Sequence, residues 1–192
     1  MAERSINWRQ KKNDQNHNVH IGRRVKYICK QYGAPVSYNE GGHPGIDFEI
    51  CKGTPIIAAT EGEVSYVGVS DPEVSYSGGI FARVQNAQHF DLIYGHLGKV
   101  YVEKGQLLKR GQLIGLSGAS NDGLSHLHFG ICRVGGSFQK YSQTYDPDKF
   151  WLDGRPKCFD PGADYSKYYP EGITIPIACR AYAKELITAA EE

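Results

Sequence analysis

Ser125-His126-Leu127-His128-Phe129 opens an apolar run that continues to Cys132 and reads as a β-strand. On a strand, side chains two apart leave the same face, so His126 and His128 stand side by side while Leu127 and Phe129 face the opposite, buried side. Two imidazoles held together on an apolar strand are costly unless something binds them, and a divalent metal does so well. Alone, a His-x-His pair is more commonly a surface or core feature than a metal site, so its weight depends on its company.

The surrounding sequence has the same texture. From Gly41 to about Trp151, short apolar runs alternate with glycine punctuation: Pro55–Ala59, Glu63–Val69, Ile80–Gln85, Leu92–Tyr94, Val100–Val102, Leu113–Leu116 and His126–Cys132. Several alternate with period two, and none sustains a helical period, which predicts an all-β region. Glu61-Gly62-Glu63 reads as a tight hairpin turn between two of these runs. Gly105-Gln106-Leu107 and Gly111-Gln112-Leu113 echo one another and predict two related turns. Residues 23–32 are compatible with a short helix or a strand. Residues 177–191 are alanine-rich, begin after Pro176 and predict a C-terminal helix.

Two further fragments carry histidines: Gly41-Gly42-His43-Pro44-Gly45-Ile46-Asp47 and Tyr94-Gly95-His96-Leu97. His43 and Asp47 flank a Pro-Gly turn that can bring both side chains to one point, and an imidazole and a carboxylate are ordinary zinc donors. With one histidine of the 126/128 pair they make three protein ligands. The fourth tetrahedral position is then left for water, the catalytic rather than the structural arrangement.

In this order, the three histidine fragments resemble the lysostaphin/LytM-type zinc metallopeptidases. Gly53-Thr54-Pro55-Ile56-Ile57-Ala58-Ala59 with Gly62-Glu63-Val64 is similar to that family's strand-turn-strand after the first motif. Val102–Gly115 resembles its glycine-rich hairpins, and Tyr145-Asp146-Pro147 its closing Asp-Pro. The resemblance covers about 41–152. It implies antiparallel β-sheets forming a groove, of the duplicated-hybrid-motif type, with His43, Asp47 and His128 binding Zn2+. It also implies that His96 and His126 orient the attacking water and stabilise the oxyanion, with Tyr38 the nearest candidate for a tyrosine preceding the first ligand. The substrate implied is a peptidoglycan stem or cross-bridge peptide, and the location extracytoplasmic. Gly123-Leu124-Ser125 and Gly130 depart from the family pattern and bear on the groove rim rather than on the metal.

The domain reading that follows is a polar tail or pro-segment over 1–40, a catalytic domain over 41–152, and a C-terminal extension over 153–192. A segment before the catalytic domain could cover the groove, with His17, His20 or Asn39 reaching the open metal position. No His-Glu-x-x-His helix is present, so a histidine is the expected general base, and the sequence leaves His96 and His126 equal for that role.

Composition narrows the alternatives. Twenty-two basic and 21 acidic residues give a net charge of +1, without the basic excess of a nucleic-acid binder. No run approaches the ~18 apolar residues of a membrane span, and Met1–Ser5 lacks the apolar stretch of a secretory signal. The five cysteines form no CxxC pair and leave disulfide pairing open. His89 shows no partner pattern. A catalytically idle scaffold or regulator of other wall hydrolases is the alternative, against which the full ligand set counts. A biotinyl- or lipoyl-type carrier would need a modifiable Lys, commonly beside Met, and the only Met is Met1.

Overall fold

A computed structural model describes residues 26–69, 80–86, 90–121, 123–138, 140–168 and 172–179, with Tyr182, Ala183 and Leu186. The polar segment over 1–22, with His17 and His20, lies outside the described residues, as do His89 and most of 177–191.

Among the described residues ten strands form the framework: β1 Lys26–Lys30, β2 Ile46–Glu49, β3 Pro55–Ile57, β4 Gly62–Gly68 and β5 Ile80–Gln85 come first. They are followed by β6 Phe90–Val100, β7 Leu107–Leu108, β8 Leu113–Ser117, β9 His126–Arg133 and β10 Thr144–Tyr145. The main path is β1-β2-β9-β6-β5-β4-β7, with β10 beside β9 and a branch in which β8 joins β3 to β6. The pairings are antiparallel throughout. The mainly β architecture expected from period-two alternation is therefore what the chain adopts. Among the described residues no helix is long and apolar enough to cross a membrane.

The strand β6 holds the branch together. Its first part, Phe90 to Gly95, pairs with β9, and its last part, Leu97 to Val100, pairs with β8. Leu92 and Tyr94 on β6 and Leu127, Phe129 and Ile131 on β9 project into one core with Ile46, Ile56, Val64 and Val84. The buried Tyr94 hydroxyl accepts the Ala59 N–H at 2.9 Å, so this polar atom is satisfied inside the core.

The two echoing segments are the same turn built twice. Gly105 and Gly111 have φ of 88° and 81°, the positive value a type II turn needs at its third residue. In each turn the glutamine Oε1 accepts the N–H three residues before it, Gln106 from Glu103 and Gln112 from Lys109. Two smaller expectations are corrected. Glu61-Gly62-Glu63 is no hairpin turn: Gly62 and Glu63 already lie in β4, whose partners are β5 and β7, while β3 pairs with β8. Val100–Val102 is no separate strand, because Val100 is the last residue of the long β6. Residues 26–30, ambiguous by periodicity, resolve as a strand because the edge of β2 offers hydrogen-bonding groups to pair with.

The C-terminal segment is part of the core. Ile57 and Thr174 donate N–H groups to Pro176 and Ala59 carbonyls at 3.0 and 2.9 Å, and Ala178 donates to Pro55 at 3.1 Å. Ile173, Ile175 and Ile177 are buried there, each contributing about 2 kcal/mol by removing its side chain from water. Tyr182 and Ala183 are helical, with the Ala183 N–H donating to the Cys179 carbonyl at 2.9 Å. A disulfide between Cys158 and Cys179, 21 residues apart, closes this segment on itself. The Cys158→Ser/Cys179→Ser variant should lose about 3 kcal/mol of unfolding free energy, the loop entropy such a bridge removes from the unfolded chain. Urea unfolding of oxidised wild type beside the variant measures it, and equal midpoints would refute the assignment.

Candidate metal centre

Asp47 on β2 stands directly opposite His128 on β9, and Glu49 opposite His126. Cross-strand partners hold their side chains on one face, so this register sets a carboxylate against an imidazole. His128 Nδ1 lies 2.9 Å from Asp47 Oδ1. His43, just before β2, completes the group: its Nε2 is 3.1 Å from His128 Nδ1 and 3.2 Å from Asp47 Oδ1. All three residues are buried, at 1%, 5% and 5% exposure for His43, Asp47 and His128.

These three atoms could hold a metal ion. Tetrahedral donors at zinc distances of about 2.0–2.1 Å stand roughly 3.3 Å apart, close to the spacing observed. Three lone-pair atoms so near one another in a buried site require positive charge between them, as a proton or a cation. Burial alone would raise the Asp47 pKa, but the imidazoles of His128 and His43 beside it outweigh that and hold the carboxyl well below its usual range. Burial lowers the His128 pKa, against the pull of Asp47, and so favours the neutral ring, the form able to bind a metal.

The tautomer of His43 is fixed by its surroundings. Its Nδ1 is 3.1 Å from the Gln31 carbonyl, an oxygen that can only accept, so Nδ1 carries the hydrogen and Nε2 offers a lone pair to the centre. The loop bearing Gln31 is held by Gly33 N–H to His43 O and His43 N–H to Ala34 O, both 2.8 Å. His126 is arranged likewise. Its Nδ1 donates to the Leu124 carbonyl at 3.1 Å, which leaves Nε2 as the basic atom, 3.9 Å from Asp47 Oδ1.

His96 reaches the site through an irregularity. Leu97 pairs with Ile80 and Tyr94 with Ala82, so β6 spends three steps where β5 spends two. Tyr94 and Leu97 both remain in the core, and the extra residue is a bulge. His96 has φ of 58°, uncommon for a residue with a side chain, and is 7% exposed. Its ring centroid lies 4.3 Å from that of His126 and 6.3 Å from that of His128. The Gly118 N–H holds the bulge by donating to His96 O at 2.7 Å.

Tyr38 is the outlying member. It is 65% exposed, with Lys30 Nζ 5.9 Å from its ring centroid. Its phenol is pushed up to about 12 by partial burial and then by the Asp47 charge. Asn39 does not point at the metal position: its Nδ2 donates to the Phe138 carbonyl at 3.2 Å and its Oδ1 accepts from the Gly41 N–H. The sequence reading missed the Gln31 and Leu124 carbonyls, because a backbone acceptor carries no residue-type signal.

Known proteins share this arrangement of sequence and fold. Lysostaphin of Staphylococcus simulans is 36% identical over 118 residues, 60% of this chain and 22% of that protein. The peptidoglycan DD-endopeptidase ShyA of Vibrio cholerae is 35% identical over 96 residues, 50% of this chain and 21% of that protein. The chain thus spans about a fifth of either relative. The crystallised catalytic domain of the Staphylococcus simulans lysostaphin superposes with a TM-score of 0.56 at 32% identity, covering 64% of this chain and 90% of that domain. Residues 41–141, more than half of the chain, match the model of peptidase family M23, and the chain belongs to that family.

Proposed function

We propose that this protein is a zinc-dependent endopeptidase that hydrolyses amide bonds in the stem or cross-bridge peptides of peptidoglycan. The observation that carries this reading is the convergence of His43 Nε2, Asp47 Oδ1 and His128 Nδ1, with the basic Nε2 of His126 beside them. The relatives' described activities, including a peptidoglycan DD-endopeptidase, support the substrate class. A disulfide between Cys158 and Cys179 supports an extracytoplasmic location, since such bonds persist in oxidising compartments.

In this reading His43, Asp47 and His128 hold the ion, which when bound supplies Lewis acidity to the scissile carbonyl and acidifies water to a pKa near 7. The chain's own residues do the rest. His126 receives the proton of the attacking water at Nε2 and returns it to the leaving amine, while its Nδ1–H stays on Leu124 O. His96 lies beside His126 and donates to the carbonyl oxygen as it gains charge, and Tyr38, kept protonated by its raised pKa, assists from the rim. Assignment of the base to His126 rests on this fixed tautomer.

Two outcomes are expected. His43→Ala, Asp47→Ala and His128→Ala should each lose stoichiometric zinc by elemental analysis and release no peptide from sacculi. Chelation should reproduce this in wild type, and zinc should reverse it. A His43→Ala protein that digests sacculi like wild type would refute the reading. His126→Ala should retain zinc yet lose about 10²–10⁴-fold in kcat, and His96→Ala about 10²–10³-fold. Mass spectrometry of the released fragments identifies the bond cut, and unaltered turnover in His126→Ala would overturn its role as base.

A further inference from the structure

The short loop that enters β9 carries the carbonyl that orients His126, yet packing gives it little hold. Ala119 and Ser120 are half-buried, and Asn121, Gly123 and Leu124 are exposed. Bonds within the loop make it a unit: the Ser120 N–H and Oγ–H both donate to Leu124 O at 3.1 Å, and the Gly123 N–H donates to Ser120 O at 2.9 Å. Such internal bonds brace the loop without fixing where it sits relative to the metal donors. Ser125, the last residue before the strand, ties it to the frame. Its Oγ–H is shared between Ile50 O at 2.8 Å and Gly118 O at 3.0 Å, a three-centre bond.

Both acceptors are held independently of Ser125. Ile50 directly follows β2 and is buried. The chain behind it is stitched to β8: Ser117 Oγ donates to Cys51 O at 2.7 Å and accepts the Thr54 N–H at 2.9 Å. The Gly53 N–H donates to Ser117 O and the Ser117 N–H to Thr54 O, both at 2.9 Å. Gly118 is pressed against the His96 bulge, where a Cβ would stand 2.7 Å from Gly98 N and 2.9 Å from His96 O, which leaves no room for a side chain. Its N–H holds His96 O at 2.7 Å, and its own carbonyl takes the Ser125 hydroxyl. A continuous path of bonds thus runs from His96 through Gly118 to Ser125, and from Ser125 to the chain leaving the strand that bears Asp47.

We propose that Ser125 is a positioning residue: its hydroxyl sets His126 against His96 and the metal donors by tying the loop before β9 to the Gly118 and Ile50 carbonyls. This inference rests on the peptidase reading above, in which those two histidines act. Leu124 O and Ser125 N belong to one planar peptide unit. An anchor on the Ser125 side chain therefore fixes the direction of the carbonyl that receives His126 Nδ1–H at 3.1 Å. His126 follows directly, and its ring stands 4.3 Å from that of His96. Without the hydroxyl, the loop can turn and carry the orienting carbonyl with it. His126 and His96 then lose their common reference, while Asp47 and His128 keep theirs in the pairing of β2 with β9, and His43 keeps its bond to Gln31 O.

The test compares zinc-loaded full-length wild type, Ser125→Ala and Ser125→Thr on soluble cross-linked muropeptides, with nitrogen-15 NMR of the histidine rings as a second readout. Ser125→Ala should keep stoichiometric zinc and a KM within about twofold of wild type. Its kcat should fall by about tenfold or more, since displacing a reacting group by about 1 Å costs up to about 10²-fold. Ser125→Thr, which restores the hydroxyl, should recover most of that kcat. In the NMR spectra His126 should be the Nδ1–H tautomer in wild type and a mixture of both tautomers in Ser125→Ala. Ser125→Cys, similar in size but a weak donor, takes the place of the alanine variant if that does not fold. Wild-type kcat per zinc site in Ser125→Ala, a loss that Ser125→Thr fails to restore, or an unchanged tautomer overturns the proposal. Because tautomers are read without turnover, the two readings separate. A hydroxyl-dependent tautomer in a protein that cuts no muropeptide defeats the proposed reaction and keeps the positioning role; full digestion by Ser125→Ala does the reverse.

Discussion

Asp47 and His128 face each other across β2 and β9, and their 2.9 Å approach organises the whole centre. A carboxylate and an imidazole in that position are tolerable only if the strands hold one register, because a shift of one residue sends every side chain to the other face. The same shift would turn Leu127, Phe129 and Ile131 out of the core. Apolar burial and the donor geometry therefore enforce each other. The hydrophobic term is what keeps a desolvated Asp47 beside two imidazoles, and the polar face supplies the reason that β9 carries histidines at all.

How far this could be read from sequence follows from the kind of physics involved. Alternation along His126–Cys132 is a one-dimensional signal, and it gave both the strand and the common face of His126 and His128. The repeated Gly-Gln-Leu was equally legible, because positive φ and a glutamine acceptor belong to the local chain. Partners distant in sequence were less so. The departure of β3 to β8 rather than to β4 depends on where β8 lies, which no feature of Glu61-Gly62-Glu63 encodes. Pairing of Cys158 with Cys179 likewise depends on the path of the C-terminal segment over β3. The orienting carbonyls of Gln31 and Leu124 belong to the backbone and are invisible to any reading of side chains.

Those two carbonyls do parallel work. Each fixes one imidazole with Nδ1–H outward and Nε2 toward the centre, so His43 and His126 offer the same type of atom to one small space. The loop that supplies Gln31 precedes His43 and follows β1, so the chain before the histidine motif enters the centre through its backbone. Alongside the side chains of Asn39 and His43, this loop contributes main-chain groups: the Gln31 carbonyl and the backbone bonds that tie Gly33 and Ala34 to His43.

Regularity and irregularity divide the remaining work. His128 and Asp47 sit in uninterrupted strand pairing, which fixes the spacing of their facing side chains. His96 sits instead on a bulge, at the point where β6 leaves β9 and joins β8. A regular strand would have put residue 96 on the core side, since Tyr94 already faces the core and alternate residues follow it. Holding a non-glycine residue at φ of 58° costs of order 1 kcal/mol or more, and it is offset by the Gly118 hydrogen bond and by the burial of Leu97. The departure of β6 also opens the space beside His126 that the His96 ring occupies, 4.3 Å away. The defect in the sheet thus creates the room and delivers the side chain that fills it.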